Sequence, residues 1–195
     1  MKKALVILFL GLSVAAYSQK IKLIEGDLKA LKGQTAVKTE FTYDNMSVGK
    51  FPKEADYIAQ KKKDYNEKEA GKGDKWEEAW VAARKDRYEP QFRELFSKSS
   101  DISTVGETSP YTLIFKTVKT EPGYNIGISR SPAFIDAEVW IVDSTSPDKA
   151  IAKIQILKAP GMDVIGYDFD SGARIQEAYA KSGKALGTFI KDKIK

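Results

Sequence analysis

Residues 111–159 constrain the fold of this chain most, because three extended segments follow one another there. In residues 133–143 the apolar side chains fall on alternate positions, which is the period of a strand with one buried face. Residues 150–158 repeat that alternation, and the polar run 144–148 between them has the composition of a turn. These two segments predict a β-hairpin, and residues 112–120 predict a third strand.

The alternation also predicts which residues of the hairpin face each other. In an antiparallel pair, both apolar sets share one face only if paired residue numbers sum to an odd value, as for Val139 and Ile154. Glu138 and Trp140 then lie on the opposite face, near Lys153, where cross-strand polar and cation–aromatic contacts form.

The N-terminus has the three parts of a secretory signal peptide. Met1-Lys2-Lys3 is followed by the apolar residues 4–16 and by the small-x-small sequence Ala16-Tyr17-Ser18. The apolar run is shorter than the roughly 20 residues that span a bilayer. We therefore expect cleavage after Ser18, and a mature chain of residues 19–195 in the periplasm of a bacterium or in the medium.

The composition excludes several kinds of chemistry. The chain has no cysteine and no histidine, so it lacks disulfides, Cys-His and Ser-His triads and histidine-ligated zinc. Without a cysteine to accept lipid, we expect no membrane anchor after cleavage. Loss of Lys2 and Lys3 lowers the formal charge from +5 to +3, which is too mild to indicate nucleic acid as a partner.

The segments before and after the three strands predict one further strand, a long helical insertion and a final helix. Residues 35–43 predict the first strand, and a long helical insertion at about 52–98 follows, with a kink or restart expected at Pro90. Residues 19–34 carry only a weak amphipathic pattern and stay unassigned. After the three strands, a final helix runs to about Ile194, and the small residues Gly183 and Gly187 are expected to let it lie close on the sheet.

This order of elements predicts an α+β fold in a single domain of residues 19–195. We expect a mostly antiparallel sheet of four or five strands, with long helices after the first strand. The C-terminal helix is expected to pack on the sheet.

Acidic residues offer two candidate sites. Asp168 and Asp170 have the D-x-D form of a metal site, and Asp163 could add a third oxygen ligand, although the same residues also suit the start of a helix. Asp136 and Glu138 share one strand face at roughly 6.5–7 Å, near the spacings of glycoside-hydrolase carboxylate pairs. A solvated strand face beside Lys153 is the simpler interpretation of that pair.

Aromatic residues offer a candidate contact surface, which comprises Trp76, Trp80, Tyr88 and Trp140. Those at 76, 80 and 88 are interleaved with lysine and arginine and could stack on sugar rings or on a protein partner. The competing interpretation is that Trp76 and Trp80 form the buried stripe of a helix.

The order of elements from Tyr111 onward resembles uncharacterised secreted proteins of Gram-negative envelopes. The motif Tyr167-Asp168-Phe169-Asp170-Ser171-Gly172 and the final helix around residues 178–187 carry this resemblance. More loosely, the chain is similar to the small α/β domain of the TolB N-terminal region and of curli-secretion-type lipoproteins. The resemblance implies a part of an envelope assembly, but this chain lacks the lipid-accepting cysteine of those proteins.

Two functional hypotheses follow. The first is a non-enzymatic periplasmic or secreted module for binding or assembly in the envelope, with no cofactor. Its partner would be an envelope protein or a glycan, and it could form oligomers. The alternative is a carbohydrate-active or metal-dependent hydrolase that uses Asp136, Glu138, Asp168 or Asp170.

Overall fold

The computed structural model describes residues 19–104, 109–125, 130–161 and 171–195. The signal peptide predicted at residues 1–18 lies outside these ranges. In chain order the elements are β1 (Lys20–Gly26), a 3-10 turn (Lys29–Leu31), β2 (Lys38–Thr42), β3 (Ser47–Val48), α1 (Glu54–Asn66), α2 (Lys72–Ala83), a π-helical turn (Arg84–Tyr88), α3 (Glu89–Ser100), β4 (Tyr111–Glu121), β5 (Tyr124–Asn125), β6 (Arg130–Ser131), β7 (Phe134–Asp143), β8 (Ser146–Pro160) and α4 (Ser171–Ile194).

The main sheet has six strands in the order β1-β8-β7-β4-β2, with β3 also paired to β4. The first three pairings along this order are antiparallel, whereas β2 and β3 both run parallel to β4. The α+β class is confirmed, but the prediction of a mostly antiparallel sheet is wrong, because the sheet is mixed. The helices between β3 and β4 supply the long crossover that parallel neighbours require.

The predicted register of the hairpin is confirmed. Val139 pairs with Ile154, and Trp140 pairs with Lys153. Val139 and Ile154 are fully buried, as is Phe115, the β4 residue opposite Val139. The strict alternation of these strands therefore separates a buried apolar face from a second face that carries Trp140.

Strand β1 occupies the segment that the sequence left unassigned. It pairs with β8 at one edge of the sheet, with a bulge between Leu23 and Glu25. Ile21 and Leu23 are partly buried against the core, while Lys20 and Lys22 are exposed. Lysines and a bulge on an edge strand disfavour pairing with another chain.

The predicted helical insertion is present as α1, α2 and α3. The restart expected at Pro90 is confirmed, because α2 passes into the π-helical turn Arg84–Tyr88 and a new helix, α3, begins with Pro90 in its first turn. Proline has no backbone N–H and is tolerated there. Across the described residues, no helix is both long and apolar enough to cross a bilayer.

The C-terminal helix α4 packs on the sheet through Tyr179. The Tyr179 ring lies 5.6 Å from that of Phe115, and its hydroxyl group lies 2.6 Å from the Thr117 hydroxyl group. Its other ring neighbour is Tyr88, stacked at 5.1 Å. One side of α4 therefore closes the core over β4.

The two glycines of α4 face a different neighbour from the one predicted. A Cβ atom at Gly183 would lie 2.3 Å from the carbonyl oxygen of Phe92, and one at Gly187 would lie 2.7 Å from that of Phe96. Both contacts belong to α3, so the expectation that this stripe lies on the sheet is wrong. The absence of side chains lets two helix backbones approach each other.

Candidate functional site

The face of the sheet opposite α3 and α4, which we call the outer face, carries the most distinctive group of side chains. Its residues alternate with the buried positions on each strand. Residues that are paired across neighbouring strands form rows on this face. One row crosses β1, β8, β7, β4 and β2 and consists of Glu25, Lys153, Trp140, Ile114 and Glu40. The next row contains Lys22, Gln155, Glu138, Lys116 and Thr42.

Trp140 lies at the centre of this face between two lysines. The Lys116 ammonium lies 3.0 Å from the centroid of the indole ring, and the Lys153 ammonium lies 4.8 Å from it. The indole N–H donates a hydrogen bond to Glu138. Lys153 also forms an ion pair of 2.6 Å with Glu25. Because β4 and β8 flank β7, the sheet itself delivers one cation to the ring from each side.

The two carboxylates predicted as a hydrolase pair, Asp136 and Glu138, both lie on the outer face. Asp136 accepts a hydrogen bond of 2.7 Å from the backbone N–H of Lys158 at a bulge of β8, and Glu138 accepts the one from Trp140. Asp136 thus binds the backbone of β8, and Glu138 binds the ring of Trp140. Because each carboxylate has a partner within the sheet, the structure favours the simpler interpretation of this pair as part of a solvated strand face.

The other members of the predicted contact surface lie elsewhere. Trp80 is 7% exposed and Tyr88 is 4% exposed, so both belong to the core. Trp76 is partly buried, and its ring lies 5.6 Å from that of Trp80 and 5.8 Å from that of Tyr57. The helical spacing of the two tryptophans thus reflects a buried stripe, and of the four predicted aromatics Trp140 alone lies on the outer face.

The predicted metal ligands Asp163, Asp168 and Asp170 lie outside the described residues. Within the described ranges, no three His, Cys, Asp or Glu side chains come close enough together to hold a metal ion.

A polar network that the sequence did not indicate connects α1, the π-helical turn and Tyr43, which follows β2. Arg84, at the start of the π-helical turn, forms hydrogen bonds of 2.5 Å to both carboxylate oxygens of Glu54, and its guanidinium lies 4.2 Å from the centroid of the Tyr43 ring. Tyr43 in turn donates a hydrogen bond of 3.3 Å to Glu89. Burial, and the negative charge nearby, raise the pKa of Tyr43 far above its usual value.

This network has the features of a structural element. The side chains of Glu54 and Arg84 are 15% and 19% exposed, and Trp80 donates a third hydrogen bond, of 2.6 Å, to Glu54. Glu54 belongs to α1 and Arg84 to the π-helical turn between α2 and α3. Their ion pair therefore holds α1 against these two helices. Its only sequence signals are isolated Glu and Arg residues 30 positions apart, which no local pattern connects.

A shallow groove of about 620 Å³ lies beside α3. Its charged lining is already paired: Lys98 binds Glu94 at 2.5 Å, and Lys191 of α4 binds Asp101. None of the predicted site residues that the structure describes lines it, and the Lys191–Asp101 ion pair joins α4 to the end of α3 there.

Comparison with known proteins adds little to this geometry. No protein family model and no curated protein sequence matches the chain. Two solved structures similar to it are PelC dodecamers from Paraburkholderia phytofirmans, in space groups C2 and P6. Each is 8% identical, covers 84% of this chain and 96% of the PelC chain, and has a TM-score of 0.36. A similarity at this level supports no conclusion about the function of the chain.

Proposed function

We propose that this protein is a non-enzymatic binding module of the bacterial envelope, periplasmic or secreted, whose contact surface is the outer face around Trp140. The observation that carries the proposal is the arrangement of Trp140, a large amphipathic ring on the central strand, between two lysines. Tryptophan is enriched at recognition surfaces, because its ring supplies a large contact area with a polar edge.

The location of this surface on the sheet supports the same interpretation. Side chains of a sheet are held by the backbone pairing on both sides, so Trp140 and its lysines keep fixed positions without a loop. Ile114, which lies opposite Trp140 in the sheet, and Val142, two positions further along β7, are buried apolar residues of the same face. The strand backbone that carries the ring is therefore held in place before any partner binds.

The envelope location rests on the predicted signal peptide and on the resemblance to secreted envelope proteins. If the partner on the outer face is another envelope protein, the module has a role in assembly. The formation of oligomers is part of the same proposal.

The test expresses the full chain, with a C-terminal tag, in a Gram-negative host. We expect the tagged chain in the periplasmic fraction or medium, with Gln19 as its N-terminal residue by mass spectrometry. Washed envelope material incubated with the purified mature chain should then sediment it. Trp140→Ala should reduce the sedimented fraction severalfold, because it removes the ring from the outer face.

Val81→Ala provides the matched control. Val81 is an apolar residue of α2, 45% exposed, so its truncation removes surface from a helix and leaves the outer face intact. Equal sedimentation of the wild type, Trp140→Ala and Val81→Ala would refute the outer face as the contact surface. Retention of residues 1–18 in a cytoplasmic product would refute the envelope location.

A further inference from the structure

We propose that the outer face binds an acidic polysaccharide, with Trp140 stacking on a sugar ring while Lys22 and Lys116 pair with its carboxylates. This inference rests on the proposed function and names the class of its ligand. It follows from the ion pairs and hydrogen bonds of the outer face, which, in the part of the chain that the structure describes, engage its carboxylates and leave several of its lysines without a carboxylate partner.

Four carboxylates of the outer face are engaged by other groups within the described chain. Glu40 pairs with Lys38 at 2.7 Å, Glu25 pairs with Lys153, and Glu138 holds the indole N–H of Trp140. Asp136 holds the backbone of β8. Each of these contacts lowers the ability of the carboxylate to neutralise a further lysine.

Several lysines of the same face lack such a partner. Within the described residues, no carboxylate forms an ion pair with Lys22, Lys116 or Lys119. Lys116 is directly opposite Glu138 in the sheet, yet its ammonium lies over Trp140 because Glu138 is directed to the indole N–H. A cation–π contact stabilises an ammonium group by only about 0.5–2 kcal/mol. An external carboxylate can therefore compete for Lys116.

The spacing of these cations favours a chain of anions over a single anion. Lys22 on β1 and Lys116 on β4 belong to the same row of the sheet and are three strand spacings apart, or about 14 Å. Lys153 lies between them in the neighbouring row, beside Trp140. A linear polymer lying across the strands would meet the three ammonium groups and the ring in succession.

A glycan matches this surface better than nucleic acid does. The cations on these two rows are lysines without arginine, whereas base and phosphate recognition favours the planar guanidinium group. The formal charge of the whole chain is only +5, which is too small to neutralise many phosphates. A single half-buried tryptophan offers one stacking position, as a sugar ring requires.

The test titrates the mature chain with polygalacturonate fragments by isothermal calorimetry at low salt. Dextran of similar length serves as the neutral glycan, and duplex DNA and vesicles of phosphatidylglycerol serve as other polyanions. We expect binding of polygalacturonate, weaker binding of DNA and vesicles, and no heat with dextran. Added salt should weaken the polygalacturonate complex, since its lysine contacts are exposed.

Variants locate the binding on the protein. The double variant K22Q/K116Q should bind polygalacturonate about tenfold more weakly, since two exposed ion pairs together contribute about 1–2 kcal/mol. The charge-matched control is K63Q/K184Q, which removes two exposed helix lysines and should change the affinity less than about twofold. Trp140→Ala should also weaken binding, which a purely electrostatic contact would not show.

Each outcome decides the inference. Equal loss in the two double variants, no binding of polygalacturonate, or tighter binding of DNA or vesicles would overturn it. If K22Q/K116Q unfolds at the assay temperature by circular dichroism, the single variant K116Q answers the same question, because the ring contact is the only side-chain contact of Lys116 in the described structure. If Trp140→Ala reduces envelope sedimentation while polygalacturonate does not bind, the ligand class fails and the proposed contact surface stands.

Discussion

Replacement of Gly183 by alanine tests how α3 and α4 pack. A Cβ atom at this position would lie 2.3 Å from the carbonyl oxygen of Phe92 and 3.1 Å from its Cα atom. In proteins, a Cβ atom almost never lies within 3.0 Å of a heavy atom from a distant part of the chain. Because the opposing atoms belong to the backbone of a helix, they cannot rotate away, and the two helices must move apart.

The magnitude follows from two opposing terms. Alanine is favoured over glycine inside a helix by about 1 kcal/mol. Overpacking in a well-packed core costs about 1–3 kcal/mol, and a clash with backbone belongs at the upper end. We therefore expect Gly183→Ala to lower the free energy of unfolding by about 2 kcal/mol. At Gly187 the closest atom, the Phe96 carbonyl oxygen, is 2.7 Å away, so Gly187→Ala should cost less.

The assay is urea unfolding of the mature chain, followed by far-UV circular dichroism and analysed by linear extrapolation. Lys184→Ala is the control, because Lys184 lies next to Gly183 in α4 and is exposed. It should leave the free energy of unfolding nearly unchanged. A Gly183→Ala protein as stable as the wild type would refute the close approach of these two backbones, and a Gly187→Ala protein less stable than Gly183→Ala would contradict the predicted order of the two substitutions.

Three further predictions concern the core, the buried network and the outer face. Trp80→Ala should lower the free energy of unfolding by about 3–5 kcal/mol, whereas Trp140→Ala should cost clearly less; similar losses in urea titrations would contradict the core and surface positions of the two rings. Glu54→Gln should cost about 2 kcal/mol, since it leaves the Arg84 guanidinium without its anionic partner, and unchanged thermal stability would contradict this. Burial raises the pKa of Tyr57, so above pH 10 the unfolded chain releases a phenolic proton that the folded chain keeps, and the free energy of unfolding falls as the pH rises. Tyr57→Phe should remove about 1.4 kcal/mol of the total loss between pH 9 and 11, and an unchanged slope in urea titrations over this range would count against it.

The sequence predicted those parts of the fold that depend on neighbouring residues. Alternation along β7 and β8 identified both strands, and it also predicted the pairing of Val139 with Ile154. This succeeds because the period of two fixes the buried face of a strand, and a short turn fixes the partner. The edge strand β1 was missed because Lys20 and Lys22 face solvent and Ile24 is 44% exposed, so its apolar signal is weak.

The parts that sequence reasoning missed depend on distant partners. The parallel direction of β2 is set by pairing with β4, more than 60 residues later along the chain. The stripe of Gly183 and Gly187 correctly indicated a close approach of backbone, but a stripe of small residues does not specify whether a sheet or a helix lies opposite. The structure shows that the neighbour is α3.

The candidate site combines both kinds of information. The alternation of β7 placed Trp140 on the face away from the core, and the hairpin register brought Lys153 to it. Lys116 reaches the same ring from β4, across a pairing that the sequence did not specify. Glu138 would be the expected partner of Lys116, and its hydrogen bond to the indole leaves that cation available. The recognition property proposed for the outer face therefore arises from which of two neighbours Glu138 binds, which only the assembled sheet determines.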